Sequence, residues 1–195
     1  DPAFFALKLG EAKTFSVEPI NQEEANDQTY PLNAVIKYHF PARADMSPVD
    51  IYWYENGRKP TRPEGIPEGQ VLGDDKNGSL FVGESGWITA GEYGGKARLL
   101  PDERMAEYTP PAPTLERVSG ANHYRSFLNA CKGGPPAASN FDYAGPFTEM
   151  VLFGNIALRT NRRVEYDVET MTIPNDADAG KFLTKEYRKG WELPV

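Results

Sequence analysis

Leu32-Asn33-Ala34-Val35-Ile36-Lys37-Tyr38-His39-Phe40 is the stretch that decides the fold class. Leu32, Ala34, Ile36, Tyr38 and Phe40 alternate with Asn33, Val35, Lys37 and His39, and a repeat of two belongs to a strand with one strongly apolar face. Downstream, Val49, Ile51 and Trp53 alternate with Asp50, Tyr52 and Tyr54 until Glu55-Asn56-Gly57 supplies turn chemistry. Residues 78–90 read as a hairpin around Glu84-Ser85-Gly86, and further strands are expected at 14–18 and 96–100. The prolines of residues 58–69 remove backbone donors and make that stretch a surface loop. Thr109-Pro110-Pro111-Ala112-Pro113 is a second, extended connector.

Beyond that connector the period turns helical. Ser119 is placed to cap a helix over residues 120–131, with Ala121, Tyr124, Phe127, Leu128 and Cys131 on one stripe and Gly133-Gly134 ending it. Pro146 suits the first turn of a second helix running to about Arg159. That helix is apolar on nearly every side, so it is expected at the centre of the core. Residues 163–171 read as another strand. A last helix is capped by Asn175 or Asp176, with Asp178 early and Lys185, Arg188 and Lys189 late, as the helix dipole favours. Strands first and helices later, without βαβ alternation, predict an α+β fold: an open-faced, mostly antiparallel sheet with helices packed on one face.

Composition narrows the function. The 195 residues carry a formal charge of −7, which disfavours a nucleic-acid partner. No apolar run approaches the ~20 residues of a membrane span. Cys131 is the single cysteine, and His39 and His123 are the only histidines. A disulfide framework within the chain and a multi-thiolate metal site are therefore excluded, and two histidines disfavour a histidine-rich one. No Gly-x-Gly-x-x-Gly, Gly-x-Ser-x-Gly, His-Glu-x-x-His or P-loop pattern occurs.

Several residues can carry chemistry, each with a plainer reading beside it. His123, near a helix start, is a surface or capping histidine, or a group for proton transfer or contact with a substrate hydroxyl. His39 makes a cross-strand contact or binds a ligand. Glu149 faces solvent near a helix start, or is a buried functional carboxylate. Ser139-Asn140-Phe141-Asp142-Tyr143 forms Asx turns and a cap, or converges with free helix amides on a small ligand. Arg43 pairs with Asp45 or reaches a ligand. Trp53, Trp87 and Cys131 are expected in the core rather than on a binding platform.

Taken together, four segments have a family likeness. They are His123-Tyr124-Arg125-Ser126-Phe127-Leu128-Asn129-Ala130-Cys131-Lys132-Gly133-Gly134 with Ser139-Asn140-Phe141-Asp142-Tyr143-Ala144-Gly145-Pro146; Gly154-Asn155-Ile156-Ala157-Leu158-Arg159 with Arg162-Arg163-Val164-Glu165-Tyr166-Asp167; the tail Tyr187-Arg188-Lys189-Gly190-Trp191-Glu192-Leu193; and Trp53-Tyr54-Glu55-Asn56-Gly57 with Gly78-Ser79-Leu80-Phe81-Val82-Gly83. In their order along the chain they resemble the C-terminal α/β domain of bacterial oxidoreductases of the glucose–fructose oxidoreductase and inositol dehydrogenase (Gfo/Idh/MocA) group, and the likeness runs the length of the chain.

The resemblance implies a single C-terminal domain over residues 1–195, of dihydrodipicolinate-reductase-like architecture, that walls a substrate pocket and supports oligomerisation through an open sheet face. Val35, Tyr52, Tyr54 and Phe81 are the residues expected on that face. It also implies an N-terminal Rossmann domain that binds NAD or NADP, with a catalytic lysine in Glu-Lys-Pro and a proton-transfer residue in Asp-x-x-x-His, none of them in this sequence. The opening Asp1-Pro2-Ala3-Phe4-Phe5-Ala6-Leu7-Lys8-Leu9-Gly10 reads as a helix already under way and stopped by Gly10. A chain cut from a longer protein, inactive by itself and binding no cofactor, is the expectation. The substrate class is a sugar, cyclitol or related polyol, with His123, Tyr124, Asn140 and Asp142 as candidate contacts and no catalytic or metal residue in these 195. Two alternatives stand beside it: the same domain of an NAD-dependent glycoside hydrolase, and a stand-alone carbohydrate-binding or dimerisation module. The compartment implied is the bacterial cytoplasm or periplasm.

Overall fold

A computed structural model describes residues 1–74, 77–115, 117–118, 120 and 122–193. The fold is α+β, with two open, antiparallel sheets and five α-helices among the described residues. The sequence reading expects one sheet, whereas the strands divide between two. The chain forms two compact units, one of Asp1–Ala6 with Arg62–Phe147, the other of Leu7–Thr61 with residues 148–193.

The second unit holds the four-stranded sheet, built from β1 (Thr14–Glu23), β2 (Asn33–Phe40), β3 (Val49–Tyr54) and β7 (Val164–Asp167) in the order β3-β2-β1-β7. Alternation in β2 buries Ala34, Ile36, Tyr38 and Phe40. Leu32 precedes the strand and stays exposed. Register sets Val17 opposite both Tyr38 and Val164, and Phe15 opposite Tyr166, so one apolar face runs across the sheet. Pro19 sits in β1 beyond the residues that pair with β7, where a missing N–H leaves no ladder bond to that strand unmade. Ile20 is the extra residue of a bulge at that point.

The apolar face is covered by the later part of α4 (Phe141–Thr160), whose residues 148–160 bury Met150, Phe153, Gly154, Ile156, Ala157 and Leu158. Phe153 meets the rings of Phe15 and Tyr166 at centroid separations of 5.3 and 4.1 Å. Gly154 allows the close approach: a Cβ there would run into the Tyr38 hydroxyl and come within 3.3 Å of Ile36 Cδ1. The helix is not buried all round, because Leu152 is exposed. Pro146 lies inside α4 rather than in its first turn. The helix begins at Phe141 because Asn140 caps it, its Oδ1 accepting the Asp142 and Tyr143 N–H groups at 2.9 and 3.3 Å.

The strand expected over 163–171 stops at Asp167, whose carboxylate accepts the Thr170 N–H at 2.8 Å and turns the chain. The last helix, α5, is only Ala177–Gly180, capped by Asp176. Lys185, Arg188 and Lys189 lie past its end. Near the start of this unit a 3-10 turn occupies Leu9–Glu11, so Gly10 stops no helix, and the residue of positive φ is Lys8.

The first unit holds β4 (Ser79–Gly83), β5 (Gly86–Ala90) and β6 (Arg98–Leu100) in that order. The β4–β5 hairpin turns through Glu84-Ser85, with Gly86 at φ 144. Thr89 is fully buried, and its hydroxyl accepts the Gly73 N–H at 2.6 Å while donating to the Ser79 carbonyl at 3.1 Å. Pro101, Asp102 and Glu103 then open α2 (Asp102–Glu107), a helix the sequence reading does not anticipate. α1 (Pro2–Ala6) sets Phe4 against Tyr143 and Phe147 at 5.5 and 5.2 Å, and the Tyr143 hydroxyl donates to the Asp1 carboxylate. Phe4 is buried, but Phe5 is exposed. α3 (His123–Cys131) completes the unit. Its cap is Asn122, whose Oδ1 accepts the Arg125 N–H at 3.0 Å, while Ser119 and Ala121 lie outside the described residues.

Candidate functional site

The four candidate contacts all fall in the first unit, at the N-terminal ends of two helices. His123 opens α3 and Tyr124 follows it. Both side chains are exposed, Tyr124 to 85%. Asn140 and Asp142 flank the start of α4. Asp142 is exposed in the first turn, where the positive end of the helix favours a carboxylate. Asn140 is the most constrained of the four: its Oδ1 accepts two α4 amides and its Nδ2 donates to the Ala137 carbonyl at 3.0 Å. Its amide therefore does the work of a cap. Among the described residues no hydrogen bond, ion pair or ring contact joins His123 or Tyr124 to Asn140 or Asp142.

Cys131 departs from its expected place in the core, and the rest of its stripe on α3 is no more buried. Tyr124, Phe127, Leu128 and Cys131 are all exposed, and the helix buries no residue. Trp53 is 41% exposed and Trp87 half-buried, so neither is a core tryptophan. Trp53 donates its indole N–H to Glu55 at 3.1 Å.

A second polar constellation lies on the face of the four-stranded sheet opposite α4. Cross-strand pairing aligns Glu165, Ser16, His39 and Asp50 in one row and Glu18, Lys37 and Tyr52 in the next. His39 Nδ1 lies 2.7 Å from Asp50 Oδ1, and Lys37 Nζ lies 3.1 Å from Asp50 Oδ2. Burial works against the charged form of Asp50, but the hydrogen bonds from His39 and Lys37 outweigh it and hold the carboxyl below the usual carboxylate range. Asp50 in turn raises Lys37, which also sits over the Tyr52 ring at 5.9 Å. His39 thus makes the cross-strand contact, with Nδ1 engaged. Alternation puts these groups on one face in the sequence, but only the register reveals that His39 and Asp50 are opposite each other. Val35, Tyr52 and Tyr54 share that face as expected. Phe81 does not, because it belongs to β4 of the other sheet.

Two further residues resolve differently from either reading offered for them. Arg43 is 5% exposed, and its guanidinium donates to the carbonyls of Leu7 (2.9 Å from Nε), Pro41 (3.1 Å) and Ser47 (3.2 Å). Asp45 pairs instead with Lys8 at 2.6 Å. Burial lowers the Arg43 pKa, with Glu11 acting in the opposite direction. Glu149 is half-buried beneath the sheet and accepts the Tyr166 hydroxyl. Burial first, and Glu149 second, push the Tyr166 phenol far above its ordinary value.

Among the described residues no group of three or more His, Cys, Asp or Glu side chains is placed to hold a metal ion, and no helix is long and apolar enough to cross a membrane. No known family profile and no curated protein matches the chain.

Proposed function

We propose that this chain is the substrate-side domain of an NAD(P)-dependent oxidoreductase acting on a sugar, cyclitol or related polyol. The observation that carries the reading is the construction of the four-stranded sheet: antiparallel, covered by α4 on one face, and lined on the other by Glu18, Lys37, His39, Asp50, Tyr52 and Tyr54. A face of that composition serves as a wall or an interface rather than as core. The order of the four resembling segments along the chain adds to it.

In this reading the domain orients hydroxyls and supports oligomerisation through the open face, while a nicotinamide, when bound, would supply the hydride chemistry at a carbinol carbon. Among the described residues the side chains of His123, Tyr124 and Asp142 have no hydrogen-bond partner and are open to hydroxyl contacts, and Asn140 holds the start of α4 in place next to Asp142. The sequence has no glycine-rich turn between a strand and a helix that would cradle a pyrophosphate. The dinucleotide is therefore assigned to polypeptide outside these residues.

The test uses the full-length gene product and the 195-residue chain in parallel. The full-length protein is expected to reduce NAD or NADP with at least one cyclitol or aldose, read by nicotinamide absorbance. Tyr124→Ala and Asp142→Ala should raise KM more than they lower kcat. The 195-residue chain should neither bind dinucleotide nor turn over. Dinucleotide capture by the short chain, or glycoside cleavage without net redox change by the long one, would overturn the reading.

A further inference from the structure

The four-stranded sheet has two edges, and the chain treats them differently. Along β7 the outward backbone groups other than the Glu165 carbonyl are occupied from within: Glu165 N–H donates to Asn175 Oδ1 at 2.8 Å, Asp167 N–H to the Thr172 carbonyl at 3.0 Å and Thr172 N–H to the Asp167 carbonyl at 3.3 Å. Asn175 Nδ2 also donates to the Arg163 carbonyl at 3.0 Å. That edge is sealed but for the Glu165 carbonyl.

Along β3 nothing comparable happens. The Glu55 N–H donates to the Ala34 carbonyl at 3.0 Å, which sets the phase of the ladder. In an antiparallel pair, alternate residues point their N–H and C=O at the same neighbour, so Trp53, Ile51 and Val49 bond to β2. The N–H and C=O groups of Asp50, Tyr52 and Tyr54 are left directed away from the sheet. Among the described residues none of these groups has a hydrogen-bond partner. β3 also lacks the usual protections of an edge: it contains no proline, no lysine and no bulge. Its one charge, Asp50, is tied to His39 and Lys37.

We propose that β3 pairs with β3 of a second copy of this chain, antiparallel about a two-fold axis through Tyr52, joining the two four-stranded sheets edge to edge. The strand is self-complementary in that register. Tyr52 and the partner's Tyr52 exchange both backbone bonds, Asp50 exchanges both with the partner's Tyr54, and symmetry repeats this for Tyr54 and the partner's Asp50. Every outward group is then satisfied. On the other face Ile51 comes opposite the partner's Trp53, which gives the half-exposed Trp53 a cross-strand neighbour. No like charges are opposed. A two-fold at Asp50 would set that carboxylate against the partner's Asp50, and one at Tyr54 would leave Asp50 without a partner strand. An unrelated extended peptide offers the backbone bonds but not this reciprocity, which is why a second copy is the occupant.

The experiment is sedimentation of the chain over a concentration series, with amide exchange followed by NMR. Reversible self-association is expected, with or without a further contact through the open face, in which the amides of Asp50, Tyr52 and Tyr54 slow as the edges pair while those of Ile51 and Trp53 are protected throughout. Tyr52→Pro deletes one outward donor in each copy, two bonds per dimer, and no bond to β2, and should weaken the dimer about 30-fold. Tyr54→Asp sets a second carboxylate opposite the partner's Asp50 and should weaken it, whereas Tyr54→Lys should not. This pair of variants decides the matter if the proline disturbs folding. A monomer at every concentration would overturn the proposal. So would a dimer that leaves the three outward amides unprotected, including one formed through the open face.

Discussion

Replacing Arg43 by methionine keeps an unbranched stem of similar bulk and removes every donor of the fork. In the native chain that fork ties the carbonyl of Leu7 to those of Pro41 and Ser47, so one side chain joins the entry into the unit to both sides of the β2–β3 turn. Leaving a buried acceptor without its donor costs about 1–3 kcal/mol. These three bonds are part-buried and Ser47 is exposed, so three acceptors at the lower figure give at most about 3 kcal/mol. Against this stands the relief of no longer burying a guanidinium that, among the described residues, has no carboxylate within ion-pair distance, a modest gain because guanidinium is weakly hydrated. The net loss expected is about 2 kcal/mol, or roughly 4–8 °C in melting temperature for a chain of this size. The assay is urea unfolding read by the exchange of core amides such as those of Val17, Tyr38 and Val164, which belong to the same unit. The midpoint should fall with the slope unchanged. Arg43→Lys should recover less than half, because a single ammonium cannot span carbonyls that a planar fork reaches together. A methionine variant within about 0.5 kcal/mol of the native chain would refute the reasoning, as surface substitutions fall within that range. Full rescue by lysine would show that charge alone, not the fork, is what the site requires.

Gly154→Ala sets two effects against each other: alanine favours the helix by about 1 kcal/mol, while overpacking against the Tyr38 hydroxyl costs about 1–3 kcal/mol. Net destabilisation of roughly 1 kcal/mol by calorimetry is expected, and Tyr38→Phe in the same chain should recover much of it. Asp50→Asn tests the open face. The folded carboxyl is held below its unfolded value, so its contribution is present above the unfolded pKa of about 3.9 and is lost as pH falls through the lower folded value. The stability gap between native chain and variant should thus be constant from pH 5 to 7 and close below about pH 4, as followed by urea unfolding at each pH.

The alternation of residues 32–40 and 49–54 and the hairpin of 78–90 were legible because each is a local pattern with a local turn. The division into two sheets was not, since which strands pair is decided by contacts far apart in sequence. Pro146 misled the reading of α4: proline favours a first turn, but the stronger signal was Asn140, a cap five residues upstream of where proline alone would start the helix. α2 was missed even though Pro101, Asp102 and Glu103 make an ordinary helix start, because six residues show too little periodicity to register. The apolar stripe of α3 is legible as a stripe, but its Cys131 is exposed rather than in the core. Periodicity reports that a face is apolar and says nothing about what lies against it. For the candidate contacts, the sequence placed Asn140 at a helix start, but its capping bonds needed the structure. The Asp50 cluster needed the cross-strand register, and Arg43 needed the path of three separate carbonyls.

That uncovered α3 has a thermodynamic corollary. An isolated helix shorter than about 12–15 residues is marginal in water, and these nine residues draw no support from tertiary burial. What remains is the Asn122 cap at one end and, at the other, the carbonyls of residues 128–130 accepting the Lys132 and Gly133 amides. Its opening free energy therefore sits near the bottom of the molecule's range, and the segment behaves as its own foldon that frays long before Val17 or Val164 are exposed to solvent.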